Sequence, residues 1–267
     1  MPMALQTLTA PVIDTRLAAL EARMSHFLPP DHDEIRALLA HADRLARSDA
    51  LEASHLRGRI HTLTGDRRQV DYWFANARRL QDDWRAAFNH ASCLASLGYF
   101  SDAAALTSRF LSLETGMLTH TVDLAAKLLD LRGAASAHRR LAQLGLRPLG
   151  AHPSLIATAD DALAACGESV EQARLVLDVA GEILRERRLW WRDDTARMTA
   201  ESGCEDHGIL YEIGITVSVD EGCRLTDEHI DKTLERGLGL SSFSFSFIGL
   251  DELPRIMAPR PQLKQVQ

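Results

Sequence analysis

Four glycines, Gly65, Gly98, Gly133 and Gly167, stand 33, 35 and 34 residues apart, and each separates one run of helical periodicity from the next. That spacing is the period of a helix-turn-helix repeat, in which no hairpin can bury its apolar face alone and each must stack on its neighbours. An array of this kind presents surface to other macromolecules and rarely carries chemistry. The ladder therefore constrains both the fold and the class of task, but it does not name a client.

Composition agrees with helix-on-helix packing. Apolar residues make up 46% of the 267-residue chain, enough for a sizeable core, while aromatics are only 6% and Ala and Leu dominate. The 30 basic and 37 acidic residues leave a net charge of -7, with no long basic run, so nucleic acid is not an expected partner. Cys93, Cys166, Cys204 and Cys223 are scattered without a short paired motif, the pattern of a reduced compartment. The first residues lack a basic start followed by an apolar stretch, and no segment approaches the ~18 apolar residues of a membrane span. The expectation is a cytoplasmic chain with no membrane association.

Along the chain, Ile13, Leu17, Leu20, Met24 and Phe27 recur at helical spacing over residues 13–27, and Pro29 and Pro30 stop that helix. Asp31 or Asp33 is placed to cap the next, whose stripe is Ile35, Leu38, Leu39, Ala42 and Leu45. A hairpin over about 50–81 turns at Gly65 and Asp66, and another from about 83 turns at Gly98. Glycine suits such turns because a helix often ends on a left-handed residue, which costs glycine little. Asp66 and Ser101 stand where capping side chains are expected.

The stretch from about 50 to 115 resembles tetratricopeptide (TPR) repeats. Members of that family place a small residue in the first helix, a glycine at the turn, often an aromatic after it, and a small residue opening the second helix. Here Gly58, Gly65, Val70, Phe74 and Ala77 supply one unit, and Ala91, Gly98, Phe100 and Ala103 the next. Later units keep the period with fewer matches: Ala126 and Gly133, then Gly167 and Ala173, with Asp160 where a small residue is expected. The closing proline common in the family is absent throughout.

The resemblance implies a mainly α fold, a TPR-like α-solenoid of antiparallel helix hairpins over residues 13–190, whose first helices line a concave groove. Its groove-facing residues would be His55, Arg59 and Thr62, then Phe88, Ser92 and Ser96, then His120, Asp123, Lys127 and Asp130. Family members that clamp a C-terminal carboxylate use repeated Lys, Asn and Arg at these places, a pattern missing here. The alternative fold is an irregular helical bundle with coincidental glycine spacing. For each groove residue the alternative is an ordinary solvated helix face, and for Phe88 a place in the core.

After residue 190 the pattern changes. Trp190 and Trp191, flanked by Arg187, Arg188, Arg192 and Asp193, read either as a stacking site or as a cap that closes the last helix. Ile209 to Val219 alternates as a half-buried strand, Asp220-Glu221-Gly222 reads as a turn, and Thr226 caps a helix to about Arg236. Phe243, Phe245 and Phe247 then alternate with serines as a second strand. The whole is a small C-terminal α+β appendage over residues 205–252, with residues 1–12 and 253–267 expected as flexible termini. Two strands make a marginal sheet. The three phenylalanines are therefore expected to mediate self-association, giving a possible homodimer, or to capture a client strand.

Cys204, His207, Cys223 and His229 contain enough soft ligands for tetrahedral zinc, though their spacing is not that of a common finger. No phosphate-cradling glycine loop, G-x-S-x-G elbow or H-E-x-x-H helix is present. The leading expectation is a non-enzymatic scaffold or adaptor that needs no cofactor and binds a protein or peptide in its groove. A regulator or immunity-type protein that neutralises one partner has the same sequence signature, and a small enzyme or zinc site in the appendage is the third reading.

Overall fold

The computed structural model describes residues 10–81, 84–111, 118–146, 152–192, 195–202 and 207–250. Six helices form its first part: α1 (Ala10–Glu21), α2 (Asp33–Leu45), α3 (Ala50–Thr62), α4 (Arg67–Leu80), α5 (Trp84–Ser96) and α6 (Phe100–Phe110). The α3–α4 and α5–α6 hairpins turn on Gly65 and Gly98, whose φ angles of 78° and 74° lie in the left-handed region. Gly58 is the close-packing residue of the first hairpin: a Cβ there would lie 2.6 Å from the Phe74 ring across on α4. Asp66 caps α4 as expected, accepting from the Gln69 N–H at 3.1 Å.

Other boundaries are set by distant partners. Ser101 does not cap α6; its N–H donates to Asp178 Oδ1 at 3.0 Å, 77 residues later, and its hydroxyl donates to the same carboxylate. His32 instead of an aspartate caps α2. The first helix ends at Glu21 instead of running to Phe27. Residues Ser25–Leu28 leave it as an extended strip, bonded through Phe27 N–H to Arg188 O (2.9 Å), through Leu28 N–H to Leu63 O (2.8 Å), and from Trp190 N–H to Ser25 O (2.9 Å).

Four more helices follow: α7 (Leu118–Lys127), α8 (Leu131–Gln143), α9 (Pro153–Ala165) and α10 (Val170–Glu186). The third rung of the glycine ladder is not a turn. Gly133 lies inside α8 and donates its N–H to the capping carboxylate of Asp130 at 3.1 Å, while Leu129, with φ 57°, makes the turn. Gly167 does turn, with φ 69°. Helix α10 departs furthest from repeat stacking. It packs back against α6 and crosses the α5–α6 turn at Gly181, where a Cβ would lie 2.0 Å from Gly98 O. In a solenoid each repeat touches only its sequence neighbours. This chain instead folds α10 back onto α6.

The C-terminal part is an antiparallel hairpin extended by a parallel strand: β1 (Ala196–Ser202), β2 (His207–Ile215), α11 (Val219–Glu235) and β3 (Phe243–Gly249), in sheet order β1-β2-β3. The predicted strand through Val219 stops at Ile215. Ser218 caps α11 by accepting from Glu221 N–H at 3.2 Å, so Asp220-Glu221-Gly222 is the first turn of a helix and not a loop. Gly222 is required there because a Cβ would lie 2.5 Å from the Gly249 N–H. The predicted cap Thr226 sits mid-helix, and its Oγ1 accepts from Phe247 N–H at 2.9 Å.

One sheet face is covered by helices. Ile209, Tyr211 and Ile213 pair in register with Phe243, Phe245 and Phe247, and all six side chains are buried. Tyr211 stacks on Phe245, His229 of α11 packs against Phe245, and the Tyr211 hydroxyl donates to Lys127 O at 2.6 Å. The three phenylalanines are therefore internal, which corrects the expectation that their side chains mediate self-association. β1 supplies the missing strand on one side and α11 the cover. The core falls in two clusters, one formed by α1–α4 with Cys93, Leu97 and Trp190, the other running from α5 through α10 into the sheet with Trp191.

Candidate functional site

A recess of about 430 Å³ opens between α1, α3, α5 and the strap Trp190–Arg192 that follows α10. Of the ten predicted groove residues, five from two helices meet there: Arg59 and Thr62 from α3, and Phe88, Ser92 and Ser96 from α5. The helical repeat explains the convergence. Arg59 and Thr62 are three apart, and Phe88, Ser92 and Ser96 four apart, so each set lies along one helix face. Ala18, Glu21 and Ala22 close the α1 side, and Asn89 and Cys93 complete the floor.

Polar groups in the wall are held in place. Arg59 forms ion pairs with Asp14 and, at 3.4 Å, with Glu21. Arg192 Nη1 donates to Ala22 O at 3.0 Å, tying the strap to the end of α1. Thr62 donates to Gly58 O at 3.0 Å and is itself almost fully buried. Burial pushes the Cys93 thiol up to about 12, against the opposing pull of Thr62 and Arg59. A thiol so held is protonated at neutral pH and is no nucleophile. Ser92 and Ser96 are half-buried, and hydroxyls of this kind both donate and accept.

The strap residues enter the site through an alternation that sequence inspection alone did not resolve. In extended backbone, successive side chains point to opposite sides. Trp190 meets Phe27 edge-on at 5.8 Å in the N-terminal core, while Trp191 meets Phe100 edge-on at 5.2 Å in the larger core. Residues 190 and 191 both border the recess. The tryptophan pair thus joins the two cores at the place where they bound the recess.

The remaining predicted groove residues lie elsewhere. His55 is buried behind the wall, edge-on to Phe74 and 3.3 Å from Asn89 Nδ2 through its Nδ1. Asp123 and Lys127 form a 2.8 Å ion pair along α7, outside the recess. Asp130 is the α8 cap and accepts from Ser108 Oγ at 2.6 Å. The side chain of His120 lies outside the described residues. The α7 residues separate from the others because the third turn falls at Leu129, shifting the hairpin that the glycine ladder places at Gly133.

The zinc set does not assemble. His229 is buried with Nε2 3.0 Å from Val176 O, whereas Cys223, six residues earlier on the same helix, is exposed. At ~100° per residue a separation of six puts the two on different helix faces. His207 lies at the start of β2, 3.3 Å from Ser202 Oγ through Nδ1, and Cys204 lies outside the described residues. Among the described residues no group of three His, Cys, Asp or Glu side chains is placed to hold a metal. No helix among them is long and apolar enough to cross a membrane.

Comparison with protein-family models, curated proteins and solved structures returned no match. The functional reading therefore rests on the residues and their geometry.

Proposed function

We propose that the protein is a non-enzymatic binding scaffold whose recess between α1, α3, α5 and the strap receives an anchoring segment of a protein or peptide. The observation that carries this reading is the convergence of Arg59, Thr62, Phe88, Ser92 and Ser96 on one cavity. Those residues were singled out from repeat geometry, in which the first helices of successive hairpins share a concave face. The volume falls within the ~300–1,000 Å³ range of pockets that take small ligands or side-chain anchors.

Wall chemistry favours recognition over turnover. Phe88 offers aromatic surface, Ser92, Ser96 and Asn89 offer hydrogen bonds, and Arg59 and Glu21 are already paired. An apolar or aromatic side chain flanked by main-chain amides matches this wall. The TPR-like arrangement is proposed only for the α3–α6 region, supported by the Gly58–Phe74 packing and the two glycine turns.

The test is affinity capture from the native cell with the wild-type chain and with Ser92→Trp, which fills the recess from a half-buried position. Loss of the specific partner with Ser92→Trp supports the proposal. Retention of every specific partner contradicts it.

A further inference from the structure

β3 is the edge of the sheet, paired with β2 on one side and with no strand on the other among the described residues. Main-chain groups of an extended strand alternate between the two sides. Ser242 O accepts from Ile209 N–H at 2.6 Å and Leu250 N–H donates to Ile215 O at 2.8 Å, so the even-numbered residues face β2. The main-chain groups of Phe243, Phe245, Phe247 and Gly249 therefore face outward. Helix α11 covers only half of this outer edge. Thr226 takes the Phe247 N–H, and Gly222 of α11 packs against the main-chain nitrogen of Gly249. The outward groups of Phe243 and Phe245 have no strand partner among the described residues.

Beside them runs an exposed apolar strip. α11 runs antiparallel to β3, and four helical residues rise ~6 Å while two strand residues rise ~6.6 Å. Stepping from Thr226 at Phe247, Ile230 comes level with Phe245 and Leu234 with Phe243. The two residues are 46% and 63% exposed, high for residues of this type. Asp227, Asp231 and Glu235 form an exposed acidic row along the far flank of that strip, with no ion pair among the described residues.

We propose that this half-open edge takes up an extended segment of another protein as a fourth strand. Its main chain pairs with Phe243 and Phe245, its apolar side chains rest on Ile230 and Leu234, and its Lys or Arg residues face the acidic row. Strand addition combines main-chain affinity with side-chain specificity. A second copy of this chain is a poor occupant, since joining two such edges brings two acidic rows together.

The probe is the synthetic octapeptide Thr-Lys-Thr-Val-Thr-Val-Thr-Lys, whose valines and lysines share one face of an extended strand, titrated into the full chain by fluorescence polarisation. Methylating alternate peptide nitrogens on the pairing side removes binding, while methylating those on the opposite side leaves it. Leu234→Glu, an exposed substitution, weakens binding about tenfold or more. Equal binding of both methylated isomers overturns the proposal, because the contact is then not a strand. A doubled mass without peptide assigns the edge to a second copy. Binding that appears only in a chain ending at Leu250 assigns it to the chain's own residues, and either result also overturns the proposal.

Discussion

The recess and the outer edge of β3 are built on opposite principles. In the recess the shape comes from residues on three helices and a strap, with Arg59 and Arg192 pinned in place and Trp190–Arg192 forming one wall. At the edge the binding groups are main-chain amides, and side chains contribute only an apolar strip and an acidic rim. The first surface selects by shape and the second by extended conformation and charge. Both depend on α10. The strap follows directly from its end, and α11 docks on it through the contact of His229 with Val176 O. The contrast teaches that one long helix, returned onto α6, supports two surfaces of unlike chemistry.

The largest expected effect removes that shared support. Gly181→Ala forces a methyl into the main chain of Gly98, and a clash of this kind costs about 3 kcal/mol. Urea denaturation should show that loss, and both surfaces should weaken together. Unchanged stability would mean that α10 does not hold them in common. Thr226→Val separates the two. It leaves the Phe247 N–H without its acceptor at a cost of about 1–2 kcal/mol, loosens α11 on β3, and leaves recess binding intact. Recess binding lost in this variant would break the distinction.

How much of this was legible depends on the distance between the deciding residues. Turn and packing signals that act within one hairpin read correctly: Gly58 against Phe74, the turns at Gly65 and Gly98, the cap at Asp66. The meeting of Arg59, Thr62, Phe88, Ser92 and Ser96 at one recess follows from the same local geometry. Features decided by residues far away did not read. Asp178 replaces the expected Ser101 cap, Arg188 and Trp190 pull Ser25–Leu28 out of α1, and α10 returns to α6. Gly222 had the chemistry of a turn and serves instead as a close contact with Gly249, a partner 27 residues on. β1, with the sequence ARMTAES, lacks the β-branched and aromatic alternation of a strand and forms because β2 offers it a register.

A smaller stability effect attends Ser92→Trp. Because Ser92 faces a cavity, the indole should cost less than about 1 kcal/mol while removing recess binding and sparing the peptide at the β3 edge. Loss of both activities would show that the surfaces are not separable. Smallest is a pH effect. Burial pulls the pKa of His229 below the usual imidazole value, opposed by its bond to Val176 O. The unfolded chain then takes up the proton first, so stability holds above pH ~6.5 and falls as pH drops below it. His229→Gln keeps a donor for Val176 O and should flatten part of that decline in denaturation midpoints taken from pH 7 to 5. The buried His90 and the half-buried His61 and His41, also shifted downward chiefly by burial, contribute to the rest. An undiminished slope would place the linkage outside the α10–α11 contact.

The most direct measurement of the central claim is site-specific photocrosslinking from position 96. A photoreactive side chain there sits in the recess wall, next to whatever occupies the cavity in the native cell. The account predicts a covalent adduct with a defined protein or peptide segment, absent when Ser92→Trp is present in the same chain. Adducts that persist unchanged with Ser92→Trp, or a crosslinker that reacts only with solvent and its own chain, would contradict it.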